Sequence, residues 1–243
     1  MMTFGQAVGE LRTAQKSKRG VSLYSRFVNR PLGRLLAAAA YRARMTPNQV
    51  TAVSALVTAL GLAVLIVFGP GIASGIVTAV LLVLGFALDS ADGQVARLTR
   101  TSSPAGEWLD HVVDSGKIVA VHATVLVVVL LHGLAGPGWA WIPLAFQIVA
   151  IVTFAGGLLI ELLKRASRAA GASSAPPSPA SPSTLRAIAL LPADYGILAT
   201  AFVLWVWPPL FIVVYTLLFA ANVIIALLLL VKWFRELSRP ANP

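Results

Sequence analysis

Long apolar stretches are the feature that most limits what this chain can fold into. A bilayer core about 30 Å thick is crossed by about 20 apolar residues of α-helix. Six such stretches can be drawn, and the pair Pro208-Pro209 separates the last two. They cover residues 48–68, 72–97, 105–131, 139–163, 188–207 and 209–232. The sequence therefore predicts an all-α membrane protein with six transmembrane helices.

The composition excludes an ordinary soluble domain. Hydrophobic residues make up 58% of the chain and charged residues 12%, against roughly 45–50% and about 25% in globular proteins. The absence of cysteine excludes disulfides and thiolate metal sites. The net charge of +10 is explained by attraction to anionic membrane lipids. No zinc, helix-turn-helix or aromatic single-strand pattern accompanies that charge, so no nucleic-acid partner is expected.

The distribution of basic residues predicts the orientation in the membrane. The short connections 69–74, 132–138 and 205–210 contain no lysine or arginine. All 19 basic residues lie at the two ends of the chain and in the regions 97–117 and 161–186. Under the positive-inside rule these regions are cytoplasmic. We therefore expect a multi-pass protein of the cell membrane with both termini in the cytoplasm, which requires an even number of spans.

The segment before the first span divides into two parts. Residues 1–20 form a polar, basic cytoplasmic N-terminus, and residues 21–45 are predicted to be an interfacial amphipathic helix. In that helix Arg26, Arg30 and Arg34 recur every four residues and form one basic stripe. A bend is expected at Pro31. A plain basic anchor with no part in catalysis is the alternative interpretation.

The rest of the chain is predicted to be one domain, residues 46–232, followed by a cytoplasmic tail, 233–243. Thr46-Pro47 is typical of an N-cap followed by proline at the first helical position. Residues 171–184 are rich in proline, serine and alanine, which predicts a flexible cytoplasmic linker.

Four of the nine acidic residues lie at the cytoplasmic ends of the second and third predicted helices. Asp89 and Asp92 are three residues apart, and Asp110 and Asp114 are four apart, so each pair projects from one helix face. The two helices are antiparallel and joined by a short loop, which brings the four carboxylates together. Such a group needs protons or cations to offset its repulsion, and hard divalent cations prefer oxygen ligands. Two ions about 3.5–4 Å apart could hold a phosphate and stabilise its attacking and leaving oxygens.

The residues around the aspartates suit a phosphate-containing ligand. Gly93 follows Asp92 directly, where the missing side chain lets a phosphate or metal approach the backbone. Ala96 keeps the next turn small, and Arg97 offers a planar fork of donors to phosphate. Gly106 permits close approach of the third helix to a neighbour or ligand.

These residues together resemble the signature of the CDP-alcohol phosphotransferase family. The resemblance covers eight defined positions within 26 residues, together with the six-helix plan and the preceding interfacial helix. The matching positions are Asp89, Asp92, Gly93, Ala96, Arg97, Gly106, Asp110 and Asp114.

The resemblance implies a reaction and a role for each residue. Family members use Mg²⁺ or Mn²⁺, two ions per site, to transfer a phosphoalcohol from a CDP-linked donor to an acceptor hydroxyl, and CMP leaves. Asp89, Asp92 and Asp110 then resemble metal ligands, and Asp114 a metal ligand and the general base. Physical reasoning supports a base among the carboxylates without selecting one. The set resembling the CDP-binding residues is Asp92, Gly93, Ala96, Arg97 and Gly106. A homodimer is also implied.

The acceptor is less constrained. CDP-diacylglycerol is the expected donor, and a phosphorylated acceptor such as glycerol phosphate or inositol phosphate would need a basic pocket near Asp114. The candidates for that pocket border the third to fifth predicted helices: Lys117, Lys164, Arg165, Arg168 and Arg186. The segment after Asp114 and the end of the fourth helix depart from the pattern of the glycerol-phosphate and inositol-phosphate branches. A soluble polyol or sugar derivative as donor or acceptor is therefore the alternative.

A cation or proton transporter is the competing class, because intramembrane carboxylates also mark ion pathways. A transporter would distribute its acids across the membrane depth, whereas these four lie at one face.

Overall fold

The computed structural model describes residues 2–13, 21–169 and 184–238. These residues form helices, turns and loops, with no strand among them. Nine α-helices run along the described part of the chain, and we number them α1 to α9. Their bounds are Phe4–Thr13, Arg30–Arg42, Pro47–Phe68, Ile72–Thr99, Pro104–Leu131, Trp141–Ala169, Thr184–Ala189, Tyr195–Ala201 and Pro208–Leu237.

Five of the described helical segments are long and apolar enough to cross a membrane. They are α3, α4, α5, the segment Pro137–Ala169 that contains α6, and α9. Many of their large apolar side chains face outward, where lipid rather than water must solvate them. The prediction of an all-α membrane protein is confirmed.

The predicted start of the first membrane helix is also confirmed, and a second membrane helix begins with a similar cap. Thr46 and Gln49 form a capping box in which each backbone N–H donates to the other side chain, at 2.9 Å and 3.3 Å. At the start of α5, Ser103 Oγ accepts from the backbone N–H of Gly106 at 3.1 Å. These caps fix the polar ends at which α3 and α5 begin.

The fifth predicted helix, residues 188–207, is not one continuous helix. The structure contains α7, a 3₁₀ turn over Leu191–Ala193, α8, and a second 3₁₀ turn over Phe202–Val206. Pro192 lacks a backbone donor, and Asp194 adopts an extended conformation and caps α8 through the N–H of Gly196. The apolar part, Tyr195–Val206, is shorter than a full span, so the count of six spans stays a prediction.

That short segment is held by the core of the bundle. The backbone and side chain of Trp205 lie against Gly75 of α4, where an added Cβ would be 3.1 Å from the N of Val206 and 3.2 Å from Trp205 Cβ. The Trp205 ring also stacks on Phe211 of α9 with 4.0 Å between centroids. Close packing against a glycine and aromatic stacking compensate for its missing length.

Small and polar residues join α3 to α4. Ser54 Oγ donates to the carbonyl of Gly85 at 2.7 Å, and Thr78 Oγ1 donates to the carbonyl of Gly61 at 2.9 Å. Such contacts allow two helix backbones to approach closely within a membrane. They make α3–α4 a firm support for the acidic end of α4.

The N-terminal part contains one helix that the sequence did not predict, α1, within the expected basic segment 1–20. The interfacial element of residues 21–45 is a π-helical turn, Ser25–Asn29, followed by α2. Pro31 has no N–H to donate to the carbonyl of Phe27, and the wider π turn precedes it at the point where the bend was expected. The predicted linker 171–184 lies outside the described residues except for Thr184.

Helix α2 packs on α4 through Gly33. A Cβ added there would lie 2.9 Å from Ser90 Cβ and 3.0 Å from the carbonyl oxygen of Ala87. Nearby, Gln94 Nε2 donates to the carbonyl of Arg30 at 3.4 Å. The basic stripe is therefore carried by a helix that is part of the folded bundle, beside the segment that holds Asp89 and Asp92.

Replacing Gly33 with leucine is expected to destabilise the protein by about 1–3 kcal/mol, because the added side chain overpacks the α2–α4 contact. The thermal midpoint in detergent should fall by roughly 2–10 °C. Gly116→Leu is the matched control, since nothing lies within 4 Å of a Cβ added at that position of α5. Equal midpoints for the two variants would contradict the packing described here.

Candidate active site

The four aspartates meet between the end of α4 and the start of α5. Carboxylate oxygens of Asp89, Asp92 and Asp110 all lie within 4.8 Å of one another. A second group within the same limit joins Asp110 to Asp114 and to His111. Asp110 belongs to both groups, so the four carboxylates form one continuous cluster, and either group could hold a cation.

Helices α4 and α5 are brought together through α3 rather than by direct packing. Helix α3 packs along both of them, whereas α4 and α5 have few close backbone contacts with each other. The space between them is a cavity of about 1080 Å³ that the four-aspartate cluster borders. A gap of this kind suits a site that must admit a charged substrate between two acidic helix faces.

Asp92 is the most firmly oriented of the four. It is buried, its Oδ2 accepts from Thr51 Oγ1 at 2.5 Å, and its Oδ1 accepts from the backbone N–H of Gly93 at 2.5 Å. Both bonds favour the ionised carboxylate and fix the direction of its lone pairs. Thr51 lies on α3 and was not predicted to support the site; the hydroxyl residues Thr51, Ser54 and Thr58, which share one face of α3, were the available signal.

Lys117 lies between two of the aspartates. Its Nζ contacts Asp89 Oδ1 and lies 3.3 Å from Asp114 Oδ1, and the side chain is buried. A buried ammonium needs such partners, and here it offsets part of the carboxylates' repulsion. The sequence proposed Lys117 as an acceptor-binding residue, which stays a prediction; in the structure it is a partner of the acidic cluster.

The predicted CDP-binding residues share the large cavity. All five line it: Asp92, Gly93, Ala96, Arg97 and Gly106. A Cβ at position 93 would lie 3.5 Å from Arg97 Nη1, so the guanidinium rests beside the bare backbone of Gly93. The Nε of Arg97 is buried and makes no hydrogen bond within the described residues. A planar donor group beside an open backbone fits recognition of a phosphate.

Gly106 allows α5 to approach α3 closely. A Cβ there would lie 3.3 Å from both Asn48 Oδ1 and Ser103 Oγ. The cavity wall at this point is therefore formed by polar backbone and side-chain atoms rather than by a large apolar side chain. Asn48, which also lines the cavity, was not among the predicted site residues.

A second, smaller cavity of about 280 Å³ lies on the other side of the acidic cluster. Asp89, Asp114 and Lys117 line this second cavity, whereas Asp92 and Asp110 line the first. The aspartates thus form a wall between two spaces. A group transferred from a ligand in one cavity to a ligand in the other would cross that wall.

The remaining predicted acceptor-binding residues are exposed and lie away from the second cavity: Lys164, Arg165, Arg168 and Arg186. Arg165 lines the first cavity and pairs with Glu107 at 2.6 Å and Glu161 at 2.5 Å. Lys164 pairs with Glu236 of α9 at 2.5 Å. The structure therefore does not bring these four side chains to Asp114.

Asp194 is a further residue that the sequence did not assign to the site. It lines the second cavity, and its Oδ2 accepts from the hydroxyls of Ser22 and, at 2.6 Å, Ser25. Its Oδ1 accepts from the N–H of Gly196 at 2.7 Å, and the Tyr24 ring covers the face of Gly196. We call this set, Ser22, Tyr24, Ser25, Asp194 and Gly196, the N-terminal latch, since it fastens the chain before α2 to α8.

The latch also holds the basic stripe near the acidic cluster. Burial, and then the positive charge of Arg26, lowers the pKa of the Arg30 guanidinium. Positive charges held this close together favour binding of an anion beside the stripe, whether a lipid headgroup or a substrate phosphate.

Comparison with known proteins identifies the family of this chain. Residues 44–233 match the CDP-alcohol phosphatidyltransferase family. Cholinephosphotransferase 1 of Xenopus laevis is 36% identical over 101 residues, which are 39% of this chain. The match spans only 25% of that relative's length.

The chain belongs to the CDP-alcohol phosphatidyltransferase family. The resemblance drawn from the eight signature positions is thereby confirmed.

Proposed function

We propose that the chain is a divalent-metal-dependent CDP-alcohol phosphotransferase of phospholipid synthesis, transferring a phosphoalcohol to an acceptor hydroxyl with release of CMP. The observation that carries this proposal is the acidic wall, with the predicted CDP-binding residues in the cavity on one side and Asp114 facing the cavity on the other.

The donor set fits Mg²⁺ or Mn²⁺. Asp89, Asp92 and Asp110 offer only hard carboxylate oxygens, all within 4.8 Å of one another. Asp114 adjoins them through Asp110, and two ions per site are expected from the family. When bound, such ions would offset the negative charge of the diphosphate and stabilise the oxygen that leaves with CMP.

The chain's own residues divide the remaining work. Arg97 and the backbone at Gly93 would bind the donor's diphosphate in the large cavity. Lys117 would hold Asp89 and Asp114 in place and limit their repulsion. Asp114 would take the proton from the acceptor hydroxyl, since it faces the second cavity and lies one helical turn from Asp110.

Two donors are candidates. The sequence favours a phosphatidyl donor, CDP-diacylglycerol. The printed name of the Xenopus laevis relative favours phosphocholine transfer as a second candidate. Positive residues gathered at the acidic end of the bundle support a cytoplasmic active site, where nucleotide-linked donors are available. The homodimer stays a prediction.

The test is CMP release by the purified full chain in detergent with Mg²⁺ and a panel of CDP-linked alcohols, each with a mixture of acceptors. We expect CMP to form from CDP-diacylglycerol or from CDP-choline, with the alcohol phosphate recovered in a lipid product. No CMP from any donor, together with metal-dependent ion flux in vesicles, would favour the transporter class instead.

A further inference from the structure

The basic stripe, Arg26, Arg30 and Arg34, is turned toward the helix bundle. Arg30 lies three residues before Gly33, and Arg34 lies three residues before Ala37, so each shares a helix face with a small buried residue. Gly33 packs on α4, and Ala37 belongs to a buried cluster that also contains residues of α4. The side of α2 that carries the arginines therefore borders α4.

The exposed apolar side chains of α2 point the other way. Leu32 lies midway between Arg30 and Arg34 in the sequence, which is about 200° around the helix from each. Leu32 is 40% exposed, and Leu35, on the same side, is 47% exposed. Exposed leucines on a helix at a membrane surface are solvated by lipid. The arginines therefore project from the side of α2 that is turned away from the acyl chains.

Two arginines of the stripe are buried in part without an acidic partner. The Nε atoms of Arg26 and Arg34 are buried and make no hydrogen bond within the described residues. Neither side chain forms an ion pair in that part of the chain. A charged donor that is buried without an acceptor costs free energy, which a bound anion would recover.

The positive charges of the stripe also act on one another. Burial, and then the charge of Arg26, lowers the pKa of Arg30. The charge of Arg30 in turn reaches Arg97 of α4, where the carboxylate of Asp92 counters it. The row of guanidinium groups is thus compensated at its Arg97 end, and the excess of positive charge lies along α2.

The carboxylate of the N-terminal latch is bound to neutral donors. Asp194 Oδ2 accepts from the hydroxyls of Ser22 and Ser25, and its Oδ1 accepts from the N–H of Gly196. Ser25 directly precedes Arg26 in the chain, so the latch holds the start of the stripe in place. The contact of Gly33 with α4 holds its other end. A set of charges fixed in this way is preorganised for a ligand.

Phosphate is the ligand chemistry that fits the stripe. A guanidinium offers a planar fork of donors that binds two oxygens of a phosphate at once. A phosphate monoester carries a charge of about −1.5 to −2 and three acceptor oxygens, so it can offset more than one arginine. The stripe is not in the described lining of either cavity. It therefore lies outside the space that Arg97 shares with the other predicted donor-binding residues.

We propose that Arg26, Arg30 and Arg34 form a binding site for a phosphate group, separate from the site predicted for the donor's diphosphate. A free phosphate or soluble phosphate ester and the headgroup of an anionic lipid are the two sources of such a group. The direction of the stripe, away from the exposed leucines, favours the soluble source. This inference goes beyond the proposed transfer reaction and does not depend on it.

The first experiment measures the binding of inorganic phosphate to the purified full chain by calorimetry. The protein is kept in a maltoside detergent, which contains no phosphate, and a chelator prevents phosphate from binding through metal ions at the aspartates. We expect saturable binding that Arg26→Gln and Arg34→Gln each weaken by about tenfold or more, because each removes charged donors from the anion.

Arg42→Gln is the matched control for the loss of one positive charge from α2. Arg42 is exposed at the end of the helix, and its Nη1 donates to the carbonyl of Met2 at 3.4 Å. Its replacement should change the phosphate affinity by less than about twofold. The thermal midpoint reports whether each variant is folded. Arg26→Lys and Arg34→Lys, which keep the charge, take the place of a glutamine variant that is not folded, and each is expected to weaken binding because lysine lacks the planar fork.

Two results would overturn the proposal. One is the absence of saturable binding at millimolar phosphate. The other is an affinity that folded variants at Arg26 and Arg34 leave within about twofold of wild type, because phosphate would then bind elsewhere, for example at Arg97. Neither result bears on CMP release, so the phosphate site and the proposed function can fail separately.

The second experiment identifies the source of the phosphate group. The titration is repeated in nanodiscs of phosphatidylcholine alone and of phosphatidylcholine with phosphatidylglycerol. An affinity that still depends on Arg26 and Arg34 in both bilayers supports a soluble phosphate as the ligand. An affinity that depends on these arginines in detergent and is lost when phosphatidylglycerol is present supports the site with a lipid headgroup as its occupant.

Discussion

Asp114→Asn is expected to slow CMP formation by about 10²–10⁴-fold, which is the usual contribution of a positioned general base. The amide is close in size to the carboxylate but cannot accept the acceptor's proton. Asp114 lines the second cavity and not the first, so the donor's KM should change less than about threefold. Steady-state kinetics with varied donor and varied acceptor separate these quantities.

Glu236→Gln is the control for the loss of one carboxylate charge. Glu236 is paired with Lys164 and Lys232 near the end of α9 and lines neither cavity. Its replacement should leave the rate of CMP formation within about twofold. If Asp114→Asn retained more than about a tenth of wild-type activity, a general-base role for Asp114 would be rejected.

Removal of divalent metal is expected to reduce CMP formation to background, and Mg²⁺ or Mn²⁺ should restore it. Without a cation, the carboxylates of Asp89, Asp92 and Asp110 lie within 4.8 Å of one another and would repel the donor's diphosphate. Activity after chelation and after readdition of metal measures the effect. Full activity in excess chelator would show that these carboxylates act without a metal.

Metal binding can be measured apart from activity by the electron paramagnetic resonance of Mn²⁺. Thr51→Val removes the hydroxyl that orients Asp92, and loss of such an outer-shell partner typically weakens metal affinity by about 10–100-fold. Ser54→Ala is the control, because Ser54 also joins α3 to α4 but donates to the carbonyl of Gly85. Equal Mn²⁺ affinities in the two variants would argue against a metal ligand at Asp92.

The sequence predicted the acidic cluster well because local rules determine it. Spacings of three and four residues place each aspartate pair on one helix face, and caps at Thr46 and Ser103 define where α3 and α5 begin. Antiparallel helices joined by a short loop then bring Asp89 and Asp110 to one end of the bundle. The sequence did not show that α3 packs along both helices, while α4 and α5 have few close backbone contacts with each other.

Contacts between distant segments were not predictable in the same way. The sequence offered five basic residues near the site. The hydropathy of the chain does not indicate which of these side chains points toward the aspartates. Lys117 does so because it shares a helix face with Asp114, at three residues, and meets Asp89 across the cavity. Lys164 and Arg165 instead find acidic partners at the surface.

The interruption of the fifth predicted helix has a similar origin. The apolar stretch 188–207 is long enough to cross a bilayer as one helix. Pro192 and the cap at Asp194 nevertheless divide it into shorter pieces. The cap that Asp194 forms is a local contact, whereas the other partners of this carboxylate, Ser22 and Ser25, lie near the other end of the chain.

The N-terminal latch has a consequence for biosynthesis. Ser22 and Asp194 are 172 residues apart, and at about 5–20 residues per second the ribosome needs roughly 9–34 s to make the chain between them. The segment that is translated first is thus among the last to reach its final position. During that interval the nascent protein carries its acidic cluster without the part of the second cavity that Asp194, Tyr195 and Leu198 complete.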